Sequence, residues 1–113
     1  MEDYEKAMEF ATIAIQNGSE KASYLLIELY FDVDSPYRDI DKTLDFAKQL
    51  FESNKDPDLA FLIGNIYDQQ LKNYVEAKSW YEAADRLHHK RVPFYLGRFY
   101  YYGLTDDGKR DGE

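Results

Sequence analysis

The chain has 113 residues, a net charge of −8, no cysteine, and an aromatic content of 17% carried by eleven Tyr, seven Phe and one Trp. The acidity argues against a nucleic-acid partner, because a phosphate backbone is held by clustered Lys and Arg, and the missing cysteines exclude a disulfide framework or a thiol nucleophile. No stretch approaches the ~18 consecutive apolar residues of a membrane span, and the acidic start Met1-Glu2-Asp3-Tyr4-Glu5 is unlike a basic signal peptide, so a cytoplasmic protein is expected.

Helix signals then follow one another along the chain. The first helix is read over 3–17 and closes on Asn17-Gly18, a pair suited to a left-handed C-terminal cap. The second, 20–32, carries the apolar run Tyr24-Leu25-Leu26-Ile27-Glu28-Leu29-Tyr30. Ser35-Pro36 marks the loop after it, since Pro neither continues a helix nor favours one before it. A third helix covers 39–53. Asp56-Pro57 joins a capping residue to Pro at the first helical position and opens a fourth, 57–70. Asn73 followed by Glu76 resembles a capping box and opens the fifth, 73–88, where Ala77, Trp80, Tyr81 and Ala84 make one stripe at i, i+3, i+4 and i+7. The sixth, 91–103, is apolar around much of its circumference. The polar tail from Thr105 to Glu113 is expected to be disordered. The fold class is all-α.

Two registers recur. Ala7-Met8-Glu9-Phe10-Ala11, Thr43-Leu44-Asp45-Phe46-Ala47 and Ala77-Lys78-Ser79-Trp80-Tyr81 align at spacings of 36 and 34 residues. The run beginning at Tyr24 aligns with those beginning at Phe61 and Phe94, at spacings of 37 and 33. Interleaved registers of one approximate period mean two helices per repeat. Gly64 and Gly97 occupy the same place in two repeats. A helix-interior Gly costs about 1 kcal/mol relative to Ala, so a neighbouring helix is expected to approach closely at both. The segments Leu96-Gly97-Arg98-Phe99-Tyr100-Tyr101-Tyr102-Gly103, Ile63-Gly64-Asn65-Ile66-Tyr67 and Ala77-Lys78-Ser79-Trp80-Tyr81-Glu82-Ala83-Ala84 resemble the Sel-one-like repeats, a sister family of the tetratricopeptide repeats. The resemblance spans 3–103. Ile27 stands in place of the helix glycine in the first repeat and Thr43 in place of the small Ala in the second. It implies a right-handed α-solenoid of about three helix hairpins over 1–104, acting as an adaptor or scaffold that binds a protein or peptide. The family has no common reaction.

A solenoid lines its inner face with the same helix of each repeat. Counting one and four residues on from the glycine position gives two columns of candidate partner-binding residues, Glu28, Asn65 and Arg98, then Phe31, Asp68 and Tyr101. At the open end, Phe94, Tyr95 and Tyr102 within 94–102 are expected to form an interface, either with a partner protein or in a two-fold homodimer. Trp80 is expected to be buried in the core. Residues 1–56 carry thirteen Asp/Glu against six Lys/Arg, whereas 57–113 carry nine against eight. That acidic half would suit a basic partner, so a regulatory or inhibitory subunit of an enzyme is an alternative, as is a self-assembling structural module.

Catalysis, cofactors and metals are not expected. Asp32-x-Asp34 begins like a calcium loop, but Thr43 sits where the bidentate Glu belongs and the required Gly is missing. His88 and His89 are adjacent, so on a helix they point apart and make a poor metal pair. With Arg86, Lys90 and Arg91 they read as a cationic helix end.

Overall fold

Capping chemistry sets most of the helix boundaries in this protein. A computed structural model describes residues 2–103; the tail at 105–113, read as disordered, lies outside the described residues. The chain divides into two compact units, Met1–Leu50 and Phe51–Glu113. Among the described residues there is no strand, and no helix is long and apolar enough to cross a membrane.

In the first unit α1 (Glu2–Gln16) and α2 (Glu20–Phe31) form a hairpin. Gly18, at φ +85°, ends α1. Its N–H donates to Ile15 O at 2.9 Å, and that of Ser19 donates to Ala14 O at 3.0 Å, the two bonds of a Schellman motif. Ser19 then caps α2 by accepting from Ala22 N–H at 3.2 Å. Ala11, Leu26 and Leu29 are buried, with Tyr4, Met8, Ile15 and Phe46 packed around them. The Asp32–Asp39 loop holds itself by polar bonds. Asp32 accepts from the Asp34 N–H at 2.9 Å and from the Tyr4 hydroxyl at 3.0 Å, so both its oxygens have structural partners. The Arg38 guanidinium donates to the Phe31 carbonyl. α3 (Ile40–Asn54) follows. Thr43, in the small-residue register, is fully buried, and its hydroxyl donates to Asp39 O at 2.9 Å. That bond explains how a hydroxyl is tolerated there.

The second unit begins with the last turn of α3. α4 (Pro57–Asn65) starts at Asp56, whose carboxylate accepts from Asp58 N–H at 2.9 Å. It runs into a π-helical turn, Ile66–Gln70, where Leu71 N–H reaches back five residues to Ile66 O at 3.1 Å. The helix expected to run uninterrupted over 57–70 therefore changes its winding at Ile66. No local breaker lies within the turn; the widened stretch instead contains Asp68, which tertiary bonds hold from outside. α5 (Tyr74–Arg86) is capped by Asn73, which accepts from Glu76 N–H at 3.2 Å. The Asn73 N–H itself donates to Tyr67 O at 2.8 Å, so only half of the expected capping box forms. α6 (Val92–Tyr102) ends on Gly103 in left-handed conformation.

The core of this unit gathers Ala60, Ala77, Tyr81, Ala84, Val92, Leu96 and Phe99. Its centre is Tyr81, at 0% exposure, and not Trp80. Trp80 is half-buried at the edge, meeting Phe51 edge-on with ring centroids 5.4 Å apart. Ala77, Tyr81 and Ala84 form the face that α4 and α6 cover, and Trp80 lies one helical step beside it.

α5 ends on a second Schellman pair: His88 N–H donates to Asp85 O at 2.9 Å and His89 N–H to Ala84 O at 3.0 Å. Here the left-handed residue is His88, φ 65°, a conformation that costs an L-residue about 1–2 kcal/mol. Glycine escapes that cost but loses more unfolded-state freedom, about 0.5–1 kcal/mol. His88→Gly is therefore expected to raise stability by about 0.5–1 kcal/mol, read as a higher denaturant midpoint with unchanged m.

Candidate docking surface

Helix α6 has an inner side built on a buried polar cluster and an outer side of open rings. The inner side starts at Gly64. A Cβ there would stand 2.6 Å from Tyr81 Cδ1 and 2.7 Å from Cε1, so the Tyr81 ring fills the space that a side chain would need. The Tyr81 hydroxyl lies 2.8 Å from Asn65 Oδ1 and 3.0 Å from Asp68 Oδ2. Arg98 Nη1, from α6, and Gln69 Nε2 also donate to Asp68 Oδ2, at 3.2 and 3.3 Å. Asp68 is 2% exposed, and its Arg98 bond ties α6 to the π turn.

Burial, then the charge of Asp68 and its hydrogen bond, push the Tyr81 phenol far above its ordinary 10.0, with Arg98 opposing. The folded chain thus keeps a proton that the unfolded chain loses above pH 10. Stability contributed by Tyr81 is present below pH 10 and falls as pH rises beyond it, by about 1.4 kcal/mol per pH unit. Urea titrations between pH 9.5 and 11.5 are expected to show a shallower alkaline loss in Tyr81→Phe.

The outer side is different. Phe94 is 71% and Tyr101 83% exposed. With Pro93, Gly97, Arg98 and Tyr102 they line a cleft of about 530 Å³. A Cβ on Gly97 would meet nothing within 4 Å. Among the described residues the close approach expected at both glycines is therefore seen at Gly64 only, and none of them fills the space at Gly97. Tyr95 leans inward, with its ring 5.0 Å from Phe61, 5.5 Å from Tyr81 and 5.5 Å from Phe94. Tyr102 is exposed and meets Tyr101 edge-on at 4.9 Å.

The sequence-read columns fare unevenly. In the first unit Glu28 is exposed, and Phe31 is half-buried beneath the Arg38 guanidinium at 5.8 Å. In the second, Asn65 and Asp68 turn to Tyr81 and not to an open groove, and Arg98 turns its guanidinium to Asp68. Asp68 lies four residues beyond Gly64, so it shares the face that the glycine presents to α5. That spacing was the available signal. Pro93 and Gly97 were not read as surface residues, and nothing in the sequence distinguishes Gly97 from Gly64.

A second recess, about 490 Å³, is lined by Pro57, Asp58, Phe61 and His88 to Arg91. His89 is fixed there. It stacks on Phe61 at 4.3 Å, places Nε2 3.0 Å from Asp58 Oδ1, and accepts from the Arg91 N–H at Nδ1, at 3.1 Å. With one nitrogen accepting and the other donating, its hydrogen bonds are satisfied within the fold. Among the described residues no group of three His, Asp or Glu side chains is placed to hold a metal.

No family profile matches the chain, and no characterised protein or solved structure is measurably similar to it.

Proposed function

We propose that this chain is a helical-repeat binding module of the Sel-one-like kind, an adaptor that holds a partner protein or peptide against the outer face of α6. The observation that carries the reading is the pair of exposed rings, Phe94 and Tyr101, on either side of Gly97, whose space no described residue fills. A helix apolar around so much of its circumference is ordinarily covered, and large apolar groups clustered in the open mark an interface. The two interleaved sequence registers support the repeat. Binding, and not catalysis, also accords with His89 and Asp32, whose side-chain polar atoms are engaged within the fold, and with Asp68, whose Oδ2 accepts from Tyr81 and Arg98.

A photo-crosslinking amino acid in place of Tyr101, compared with one in place of the exposed Glu52 on α3, tests the reading in extracts of the native source. Discrete adducts at position 101 only are expected, and Phe94→Glu should reduce them at least tenfold while leaving the melting temperature unchanged. Equal labelling at both positions would remove the assignment of this face.

A further inference from the structure

We infer that Asn17-Gly18 is a site of spontaneous covalent modification, at which the chain deamidates itself whenever the cap of α1 opens. The chain has four asparagines, and only Asn17 is followed by glycine. Deamidation needs the backbone nitrogen of the next residue to reach the asparagine side-chain carbon, and a following glycine has no Cβ to obstruct that approach. Both residues are exposed, and a Cβ on Gly18 would meet nothing within 4 Å, so water and base reach the pair. The other three asparagines are hindered twice. Asn54, Asn65 and Asn73 precede Lys55, Ile66 and Tyr74. The side-chain oxygen of each also accepts a hydrogen bond, from the Asp56 N–H, the Tyr81 hydroxyl and the Glu76 N–H in turn.

In the closed cap the attacking nitrogen is engaged. Gly18 N–H donates to Ile15 O at 2.9 Å, while the N–H groups of Asn17 and Ser19 on either side of it donate to Ala14 O at 3.1 and 3.0 Å. The Gly18 nitrogen must leave Ile15 before it can attack, and local fraying opens helix ends far more often than the whole fold unfolds. Once free, it gives up its proton to base and bonds to Asn17 Cγ. The Cγ–Nδ2 bond breaks, and Nδ2 takes a proton from solvent and leaves as ammonia. Water then opens the five-membered imide at either carbonyl, so that the net change is water gained and ammonia lost. One opening yields aspartate at position 17; the other leaves the main chain running through the former side chain, one carbon longer. Both products add a negative charge at the C-terminal end of α1, where the helix dipole is already negative and no basic residue stands in the last turn. The lengthened chain cannot keep both Schellman bonds, and the second of them belongs to Ser19, the cap of α2. One reaction therefore loosens the end of α1 and the start of α2 together.

The test holds the full chain at neutral pH and 37 °C, in buffer and in 8 M urea. Cleavage after Lys6 and Lys21 releases residues 7–21, whose mass shows the exchange of NH2 for OH and whose two isomers separate by chromatography. Conversion confined to Asn17 is expected in buffer, at least tenfold slower than in urea. Converted chain, isolated by its extra charge, should exchange the Gly18 and Ser19 amide hydrogens at least tenfold faster than fresh chain, whereas Asn17→Gln aged alike should not change. Conversion of Asn54, Asn65 or Asn73 in buffer as fast as Asn17, or no conversion of Asn17 within a month, overturns the inference. Equal rates in buffer and urea would leave the cap no control over the reaction, and would overturn it too. So would converted chain whose Gly18 and Ser19 amides stay protected.

Discussion

Tyr81→Ala is expected to unfold most of the second unit. The ring is fully buried between Ala60, Val92, Leu96 and Phe99 and fills the Gly64 notch, so its removal leaves a cavity that no neighbour can close without moving a helix. Truncating a buried aromatic costs about 3–5 kcal/mol, against a total of roughly 5–15 kcal/mol for a domain. The lost hydroxyl also takes a donor from Asp68. Trp80→Ala, by contrast, removes a half-buried ring whose aromatic contact is with Phe51, and should cost about 1–2 kcal/mol. Urea midpoints for the two variants give the comparison directly. If Trp80→Ala proves the more damaging, the core has been centred on the wrong residue.

Asp68→Ala should be the next most damaging change. It leaves the Tyr81 hydroxyl with Asn65 alone and Arg98 with no carboxylate. Removing one member of a fully buried pair costs about 3–5 kcal/mol. Arg98 is partly exposed and can turn to water, so about 2–3 kcal/mol is expected. The double variant Asp68→Leu with Arg98→Met is expected to recover most of that loss, since an apolar pair of similar volume often replaces an ion pair at little cost. A double-mutant cycle in urea reads the coupling. Independent, additive losses would mean that the 3.2 Å bond between α6 and the π turn contributes nothing.

Both predictions turn on features that the sequence showed only in part. The helix ends were legible because local chemistry made them: Asn17-Gly18, Ser19, Asp56-Pro57 and Asn73 each act within six residues of themselves. The stripe Ala77, Tyr81, Ala84 was legible as a buried face, but spacing alone did not separate Tyr81 from its larger neighbour Trp80. Which of two adjacent rings lies at the centre depends on where α4 and α6 cross, and that is tertiary information. The π turn and the left-handed His88 were hidden as well. Neither has the Gly or Pro that announces such a backbone; the π turn contains Asp68, held by Tyr81 and Arg98, and His88 closes a Schellman pair without a glycine. The engagement of Asp68 with Tyr81 and Arg98 was not legible because those partners lie 13 and 30 residues away. The exposure of the α6 rings was legible in outline, whereas the openness of Gly97 was not.

The single tryptophan has an optical consequence. Trp80 belongs to the Phe51–Glu113 unit, and Met1–Leu50 contains none. Its indole, half-buried against Phe51, will shift its emission to longer wavelength when that packing is lost. Excitation at 295 nm therefore watches one half of the molecule, while the far-ultraviolet helix signal records both. The native chain thus carries its own internal label. Overlaid curves from the two signals would mean that the halves melt as one cooperative body, and a gap between them would give the separate stability of each without a dye, a tag or a cut.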